Sequence, residues 1–308
     1  MGSVEVAIKL AAEFTATSGV PCHCAFVSTG GVCGRQAFTE AEEPLRIDAS
    51  VLSSQNGYVQ CKWVAERLIE NAGAKYHSEL SKIAEARREA WLRYPAYSIY
   101  RPGAVTAHSV TGASNLGDSI NRYLIGWSLL GAAPPLDPTA RVDMSPVDWN
   151  AGAIAGIVLQ YIQSTGDVES DNKANVPIFT LDNGLSLPYN DLIALLNTLG
   201  RPVRICETYA DWLAILIEAL AREDSAVASD GSSDSSGTVA YLNPLRGLRG
   251  ALLAKQPKFG STGCRKHMAL LARKGFPSPL VDERYVGLCL QRFVDLGALP
   301  PLKQAIAS

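Results

Sequence analysis

Two short runs, "CHCAFVSTGG" from Cys22 to Gly31 and "YSIYRPGAV" from Tyr97 to Val105, constrain the fold most. Each is almost continuously apolar, each stops in a turn rich in hydroxyl, proline or glycine residues, and each follows a long stretch of helical spacing. Strands that do not alternate apolar with polar are buried on both faces, which is the situation of a parallel sheet covered by helices on both sides. The order helix, strand, helix, strand therefore predicts an α/β chain with a parallel sheet. Such sheets bind ligands outside the carboxyl ends of their strands, so Thr29 and Gly103 are expected at the ligand edge.

The other elements follow the same spacing rules. Val6, Ile8, Leu10, Ala11 and Phe14 predict a first helix over 4–17, with one apolar stripe. A second begins near Gly57, carries Val59, Trp63, Leu68 and Ile69, and is expected to run on through Lys75 to Arg93. After a loop from Gly112, helices are expected around Ile120 to Leu130, from Asp148 with Pro146 just outside, and over "LPYNDLIALLNTLG" up to Gly200. "NVPIFTLDNG" reads as a further strand and 241–302 as helical. Residues 223–238, "EDSAVASDGSSDSSGT", cannot bury a core and predict a flexible surface insertion.

Composition excludes some classes of function. The 308 residues carry a formal net charge of -2 and the basic residues are scattered, so neither nucleic acid nor an anionic membrane surface is an expected partner. No run approaches the roughly 20 apolar residues of a membrane span, and the N-terminus does not read as a signal peptide. A cytoplasmic protein is expected. The 7 cysteines follow no framework spacing and read as reduced thiols. Cys22, His23, Cys24 and Cys33 lack the ligand gaps of a zinc site, and no metal is expected.

The strongest chemical signal is "GYVQCKWVAERLI", residues 57–69. Tyr58 and Lys62 are four apart and share a helix face. An ammonium beside a phenol favours the phenolate, which makes the tyrosine a usable proton donor and acceptor near neutrality. Such a tyrosine can protonate the alkoxide formed when hydride reaches a carbonyl carbon. The same pair also arises by chance at core margins, but here strands ending in Ser28-Thr29-Gly30 and in Arg101-Pro102-Gly103 flank it. A hydroxyl at a strand's end can hydrogen-bond an oxygen where negative charge develops.

"VSTGGVCG", "GYVQCKWVAERLI", "IYRPGAVTAHSVTGASNLGD" and "MSPVDW", in that order, with "NPLRGL" further on, resemble the thioester-reductase branch of the extended short-chain dehydrogenases. These are terminal reductase domains of nonribosomal peptide synthetases, polyketide synthases and carboxylic acid or aminoadipate reductases. The resemblance implies a Rossmann-like catalytic region over 1–172, with a substrate loop near 104–138, and a mostly helical C-terminal substrate region over 173–308. It implies NADPH-dependent reduction of an acyl or peptidyl thioester, held on a phosphopantetheinylated carrier protein, to an aldehyde or alcohol. It further implies Thr29, Tyr58 and Lys62 as catalytic residues. Ser28, Lys62, Arg101, Pro102 and Gly103 would contact the cofactor, and His108, Ser109, Thr111, Gly112 and Asn115 the substrate. His108 fits a polar loop histidine without chemistry equally well.

The pattern departs from the family in one large respect. The strand, Gly-x-x-Gly-x-x-Gly turn and helix that hold the cofactor's pyrophosphate do not precede Thr29, so the sheet is expected to lack its first strands. The strand around Phe26 would then expose an apolar edge that favours self-association. Two alternatives stay open: a noncatalytic truncated remnant serving as an interaction module, and an extended short-chain dehydrogenase acting on a free small molecule.

Overall fold

The computed structural model describes residues 2–19, 22–34, 46–80, 97–163, 176–230 and 265–302. The chain divides into two compact units that interleave along the sequence. One comprises Met1–Gly103, Trp149–Gly184 and Ser261–Ser278; the other Ala104–Asp148, Leu185–Gly260 and Pro279–Ser308. The sequence predicts a single boundary at 172, a position outside the described residues, whereas the structure passes from one unit to the other several times and groups 104–138 with later segments.

The first unit is built on a parallel sheet of three strands in the order β1 (Cys24–Val27), β2 (Tyr97–Pro102), β7 (Ile178–Leu181). Val27 pairs with Tyr100, and Arg101 with Thr180. All six residues of the central β2 are buried, and this explains why its sequence does not alternate. Tyr97 and Ile99 face a layer made by α1 (Gly2–Ser18) and α2 (Gly57–Leu80), where they meet Val4, Ile8 and Ile69. Tyr100 faces the opposite layer with Phe179 and Leu181, against Ala153 and Ile157 of α4 (Val147–Gln163) and Leu271 of α7 (Arg265–Arg273). Complete burial of a side chain such as Ile99 contributes about 1.5–3 kcal/mol. Gly156 lets Phe276 lie on α4, since a Cβ there would stand 2.3 Å from the ring's Cζ. On the outer edge of β7 the backbone N–H of Thr180 donates to Nδ1 of His267 at 3.0 Å, so α7 satisfies an edge donor that β2 cannot reach.

The second unit is mostly helical. Buried Trp127, Trp212 and Phe293 lie in one core formed by α3 (Ser119–Leu130), α5 (Tyr189–Thr198), α6 (Tyr209–Asp230) and α8 (Glu283–Asp295). Three two-residue strand pairings tie its segments: β3 (Val105–Thr106) with β6 (Ser145–Pro146), β4 (Ala132–Ala133) with β9 (Arg204–Ile205), and β5 (Arg141–Val142) with β8 (Leu187–Pro188). Tyr285 donates from its buried hydroxyl to the Ala107 carbonyl at 2.7 Å and shares a second bond with Thr106.

The structure corrects two expectations. The single apolar stripe of α1 is two: Val4, Ile8 and Ala11 face inward, whereas Val6, Leu10 and Phe14, four apart on the opposite side, are 54%, 60% and 52% exposed. The expected insertion at 223–238 begins as helix, because α6 runs to Asp230. Once Leu216 and Leu220 anchor a helix in a core, each added residue gains a backbone bond at little nucleation cost. Residues 231–238, and the expected helical continuation over 81–93, lie outside the described residues. Among the described residues no helix is long and apolar enough to cross a membrane.

Candidate active site

In the first unit, the head of α2 lies against the carboxyl end of β1. Asn56 starts the helix: its Oδ1 accepts the Val59 N–H at 2.9 Å and its carbonyl accepts the Gln60 N–H at 3.1 Å. Tyr58 is 58% exposed in the first turn. One turn on, Lys62 donates from Nζ to the Val27 carbonyl at 2.8 Å. Its ammonium stands 5.1 Å from the centre of the Phe26 ring and 5.9 Å from that of Tyr58. Burial holds the Lys62 pKa below the ordinary lysine value.

Ser28 and Thr29 follow β1 directly. The Ser28 N–H donates to the Tyr100 carbonyl at 2.6 Å, which extends the ladder by one bond. Its hydroxyl is buried and has no hydrogen-bond partner among the described residues. Thr29 caps the 3-10 turn Gly30–Cys33, its hydroxyl accepting the Gly31 N–H at 3.3 Å. That turn packs on the head of α2, where a Cβ on Gly31 would lie 3.1 Å from Val59 Cγ2 and 3.6 Å from Thr29 Oγ1. A glycine there lets Thr29 approach the helical turn that carries Tyr58. Ser28, Thr29, Tyr58 and Lys62 are thus brought together around one strand end.

Pro102 and Gly103 lie at the carboxyl end of the neighbouring β2, where the Gly103 N–H donates to the Leu181 carbonyl at 3.2 Å. The Arg101 side chain does not join them. It is 1% exposed and turns into the unit, donating from Nε to Glu66 Oε1 at 2.9 Å and from Nη2 to Glu66 Oε2 at 2.7 Å. A bidentate pair with a fully buried carboxylate holds the guanidinium away from the strand end, which leaves the backbone of Arg101 beside Pro102 and Gly103. Glu66, and the Arg46 that also contacts it, escaped the sequence reading. The signal was present: Glu66 continues the i, i+4 series of Tyr58 and Lys62 onto a face otherwise made by Val59 and Ile69.

The expected substrate residues lie together in the second unit as one tightly bonded turn. His108 Nδ1 accepts the N–H groups of Val110 and Thr111 at 3.1 and 3.3 Å, which leaves Nε2–H as the ring's free donor. The Gly112 N–H donates to the His108 carbonyl at 3.0 Å, and a φ of +67° with Leu288 O 3.0 Å from a built Cβ requires glycine. Asn115 Oδ1 accepts the Gly117 N–H at 2.9 Å, and Thr111 Oγ1 the Ala113 N–H at 3.3 Å. Ser109 donates from N and Oγ to the Asp148 carboxylate at 2.8 and 2.6 Å. Burial pushes the Asp148 carboxyl up, but the bonds from Ser109 and nearby His108 outweigh it and leave its pKa below the ordinary value. Among the described residues no group of three or more His, Cys, Asp or Glu side chains could hold a metal ion.

A parallel sheet with a Tyr-x-x-x-Lys helix against a strand end is the architecture of the extended short-chain dehydrogenases, and the chain is of that class. Residues 1–154 match the NAD-binding family described as male sterility protein, and the chain belongs to it. It is 30% identical over 187 residues to the aldehyde reductase lnaA of Aspergillus flavus, covering 59% of this chain and 15% of that protein. With a linear gramicidin synthase of Brevibacillus parabrevis it shares 29% identity over 303 residues, 97% of this chain and 5% of the synthase. Among solved structures, the terminal R domain of the myxalamid PKS-NRPS pathway superposes with a TM-score of 0.60 at 25% identity, covering 91% of this chain and 59% of that one. The chain thus spans a small part of these curated relatives' length.

Proposed function

We propose that the protein is an NADPH-dependent reductase that converts an acyl or peptidyl thioester, carried on the phosphopantetheine arm of a carrier protein, into an aldehyde. The observation that carries this reading is the convergence of Thr29, Tyr58 and Lys62 on the carboxyl end of β1. Kinship with a protein named aldehyde reductase, with a peptide synthase and with a terminal reductase domain supports the substrate class.

The residues present fit the nicotinamide end of such a cofactor. Ser28 offers a buried hydroxyl without a partner among the described residues, Lys62 an ammonium with donors beyond the one given to Val27, and Pro102-Gly103 a strand end without bulk. The bound cofactor supplies hydride. Thr29 donates a hydrogen bond to the thioester oxygen as negative charge builds there, and Tyr58 gives its proton to that oxygen, which leaves a hemithioacetal. The hydroxyl proton then returns to the Tyr58 phenolate as the C–S bond breaks, and the pantetheine thiolate leaves and takes up a proton as the aldehyde is released. Lys62 fixes a ribose hydroxyl and stabilises the phenolate left on Tyr58. In the second unit, the His108 Nε2–H and the side chains of Ser109, Thr111 and Asn115, with Gly112 at the turn, are proposed to contact the arm and the acyl chain.

We assign the activity to the cytoplasm, a reading supported by a cysteine spacing that follows no disulfide framework. The outer edge of β1, with Val27 44% exposed, supports self-association, which sedimentation at rising concentration would detect.

The test offers the full-length protein NADPH with a carrier-bound acyl thioester and with the free acid and aldehyde of the same chain, and NADP+ with the free alcohol. Aldehyde release from the carrier-bound form alone, abolished by Tyr58→Phe, is expected. Turnover of a free small molecule alone would favour the general dehydrogenase, and no turnover of any substrate a noncatalytic interaction module.

A further inference from the structure

A buried charged cluster of the first unit lies two helical turns from Tyr58. Glu66, on α2, is fully buried. Its Oε2 accepts Arg101 Nη2 at 2.7 Å and Arg46 Nη1 at 3.0 Å, and its Oε1 accepts Arg101 Nε at 2.9 Å. Arg46, 14% exposed, also forks onto Glu70 at 2.7 and 2.9 Å. Tyr58, Lys62, Glu66 and Glu70 are spaced four apart, so they form one ridge along α2 that begins at the chemistry and ends in the cluster.

Each segment that carries a proposed catalytic side chain is tied to this cluster. Arg101 anchors it to the central strand two residues before Gly103, and its Nη1 donates to Cys33 Sγ at 3.4 Å, at the end of the turn that Thr29 caps. The segment around Arg46 bridges the same two elements. The Ile47 N–H donates to the Val32 carbonyl at 2.8 Å, and the Ile47 carbonyl accepts Trp63 Nε1 at 2.8 Å. A bidentate ion pair fixes rotation about the helix axis as well as distance, whereas the apolar contacts of Val59 and Ile69 tolerate small slips.

We propose that Glu66, held by Arg101 and Arg46, is a positioning residue that sets the register of α2 against β1 and β2 and so brings Tyr58 and Lys62 to Thr29. This rests on the reductase reading for its kinetic consequence but not for its geometric one.

The experiment compares full-length wild type with Glu66→Asp, Glu66→Gln and the double variant Glu66→Met/Arg101→Met. The double variant guards against misfolding, since well-packed apolar residues can replace a buried ion pair without loss of stability. Two quantities are read on folded protein: kcat and KM for thioester reduction, and the pH profile of Lys62 labelling by an amine-reactive reagent, followed by mass spectrometry. The double variant is expected to melt near wild type yet lose about 10–100-fold in kcat with KM little changed, because a displacement of about 1 Å costs that much. Its Lys62 labelling midpoint is expected to move up toward an ordinary lysine, with Glu66→Asp between it and wild type. A folded double variant with wild-type kcat and unmoved Lys62 labelling would overturn the proposal. If wild type reduces no thioester, the reductase reading fails, and the labelling profile alone decides: a moved midpoint supports the positioning role and an unmoved one overturns it.

Discussion

The first and third turns of α2 are made of similar material and put to opposite uses. At the head, Tyr58 is exposed and Lys62 is half-buried against a carbonyl, with few contacts and much potential chemistry. Two turns on, Glu66 is fully buried and every carboxylate oxygen is bonded to an arginine, with many contacts and no access to a substrate. Exposure and burial are thus separated along one ridge: the first turn is open to solvent, and the third is fixed to its neighbours by ion pairs.

The largest expected effect breaks the exposed turn alone. Tyr58→Phe should lower kcat by about 10²–10⁴-fold, the range of a lost general acid, while thermal melting stays within error. Loss of stability without loss of turnover would reverse the roles given to the two turns.

Removing the buried carboxylate should do the opposite first. Glu66→Ala removes the carboxylate that pairs with buried Arg101 and with Arg46, and denaturant titration should show a loss of about 3–5 kcal/mol.

Lys62→Met sharpens the contrast because it should hurt function and help the fold. Burial lowers the folded pKa of Lys62 from 10.5, so between the folded and unfolded values the unfolded chain binds more protons and stability rises with pH. Below the folded value the penalty is present in full. The variant should therefore melt higher than wild type at neutral pH, the gain should shrink as pH approaches the ordinary lysine value, and NADPH affinity measured by calorimetry should fall about tenfold, equivalent to roughly 1.4 kcal/mol.

The smallest effect lies in the second unit. Ser109→Ala removes one bond to Asp148 and should cost about 1 kcal/mol. The depressed Asp148 pKa means that this contribution is present above the unfolded carboxylate value and fades as pH falls through the folded one. Denaturant curves of variant and wild type should therefore converge in acid.

Much of this was legible in the sequence for reasons that hold one residue at a time. A run such as Tyr97 to Pro102 can be buried on both faces only in a covered sheet, and Tyr58 with Lys62 share a face by helix geometry alone. What escaped depends on contacts between segments far apart in the chain. Arg101 sits at a strand end, where a ligand contact is the natural expectation, and Glu66, 35 residues earlier, holds its guanidinium inward. The two-sided apolar character of α1 is visible in the spacing of Val6, Leu10 and Phe14, but which stripe faces the sheet is decided by packing against Ile69 and Ile99. The long helix of α6 overrode the loop-like composition of residues 223–230 because a core helix was already in progress.

The central claim is that the strand end bearing Thr29, Tyr58 and Lys62 is a hydride-transfer site. The most direct measurement is a single turnover of the full-length protein with deuterium-labelled NADPH and a carrier-bound acyl thioester, with mass analysis of the released product. Deuterium on the aldehyde carbon, appearing at a rate cut sharply by Tyr58→Phe, is the expected result. An unlabelled product, or a labelled one formed equally fast without the Tyr58 hydroxyl, would contradict it.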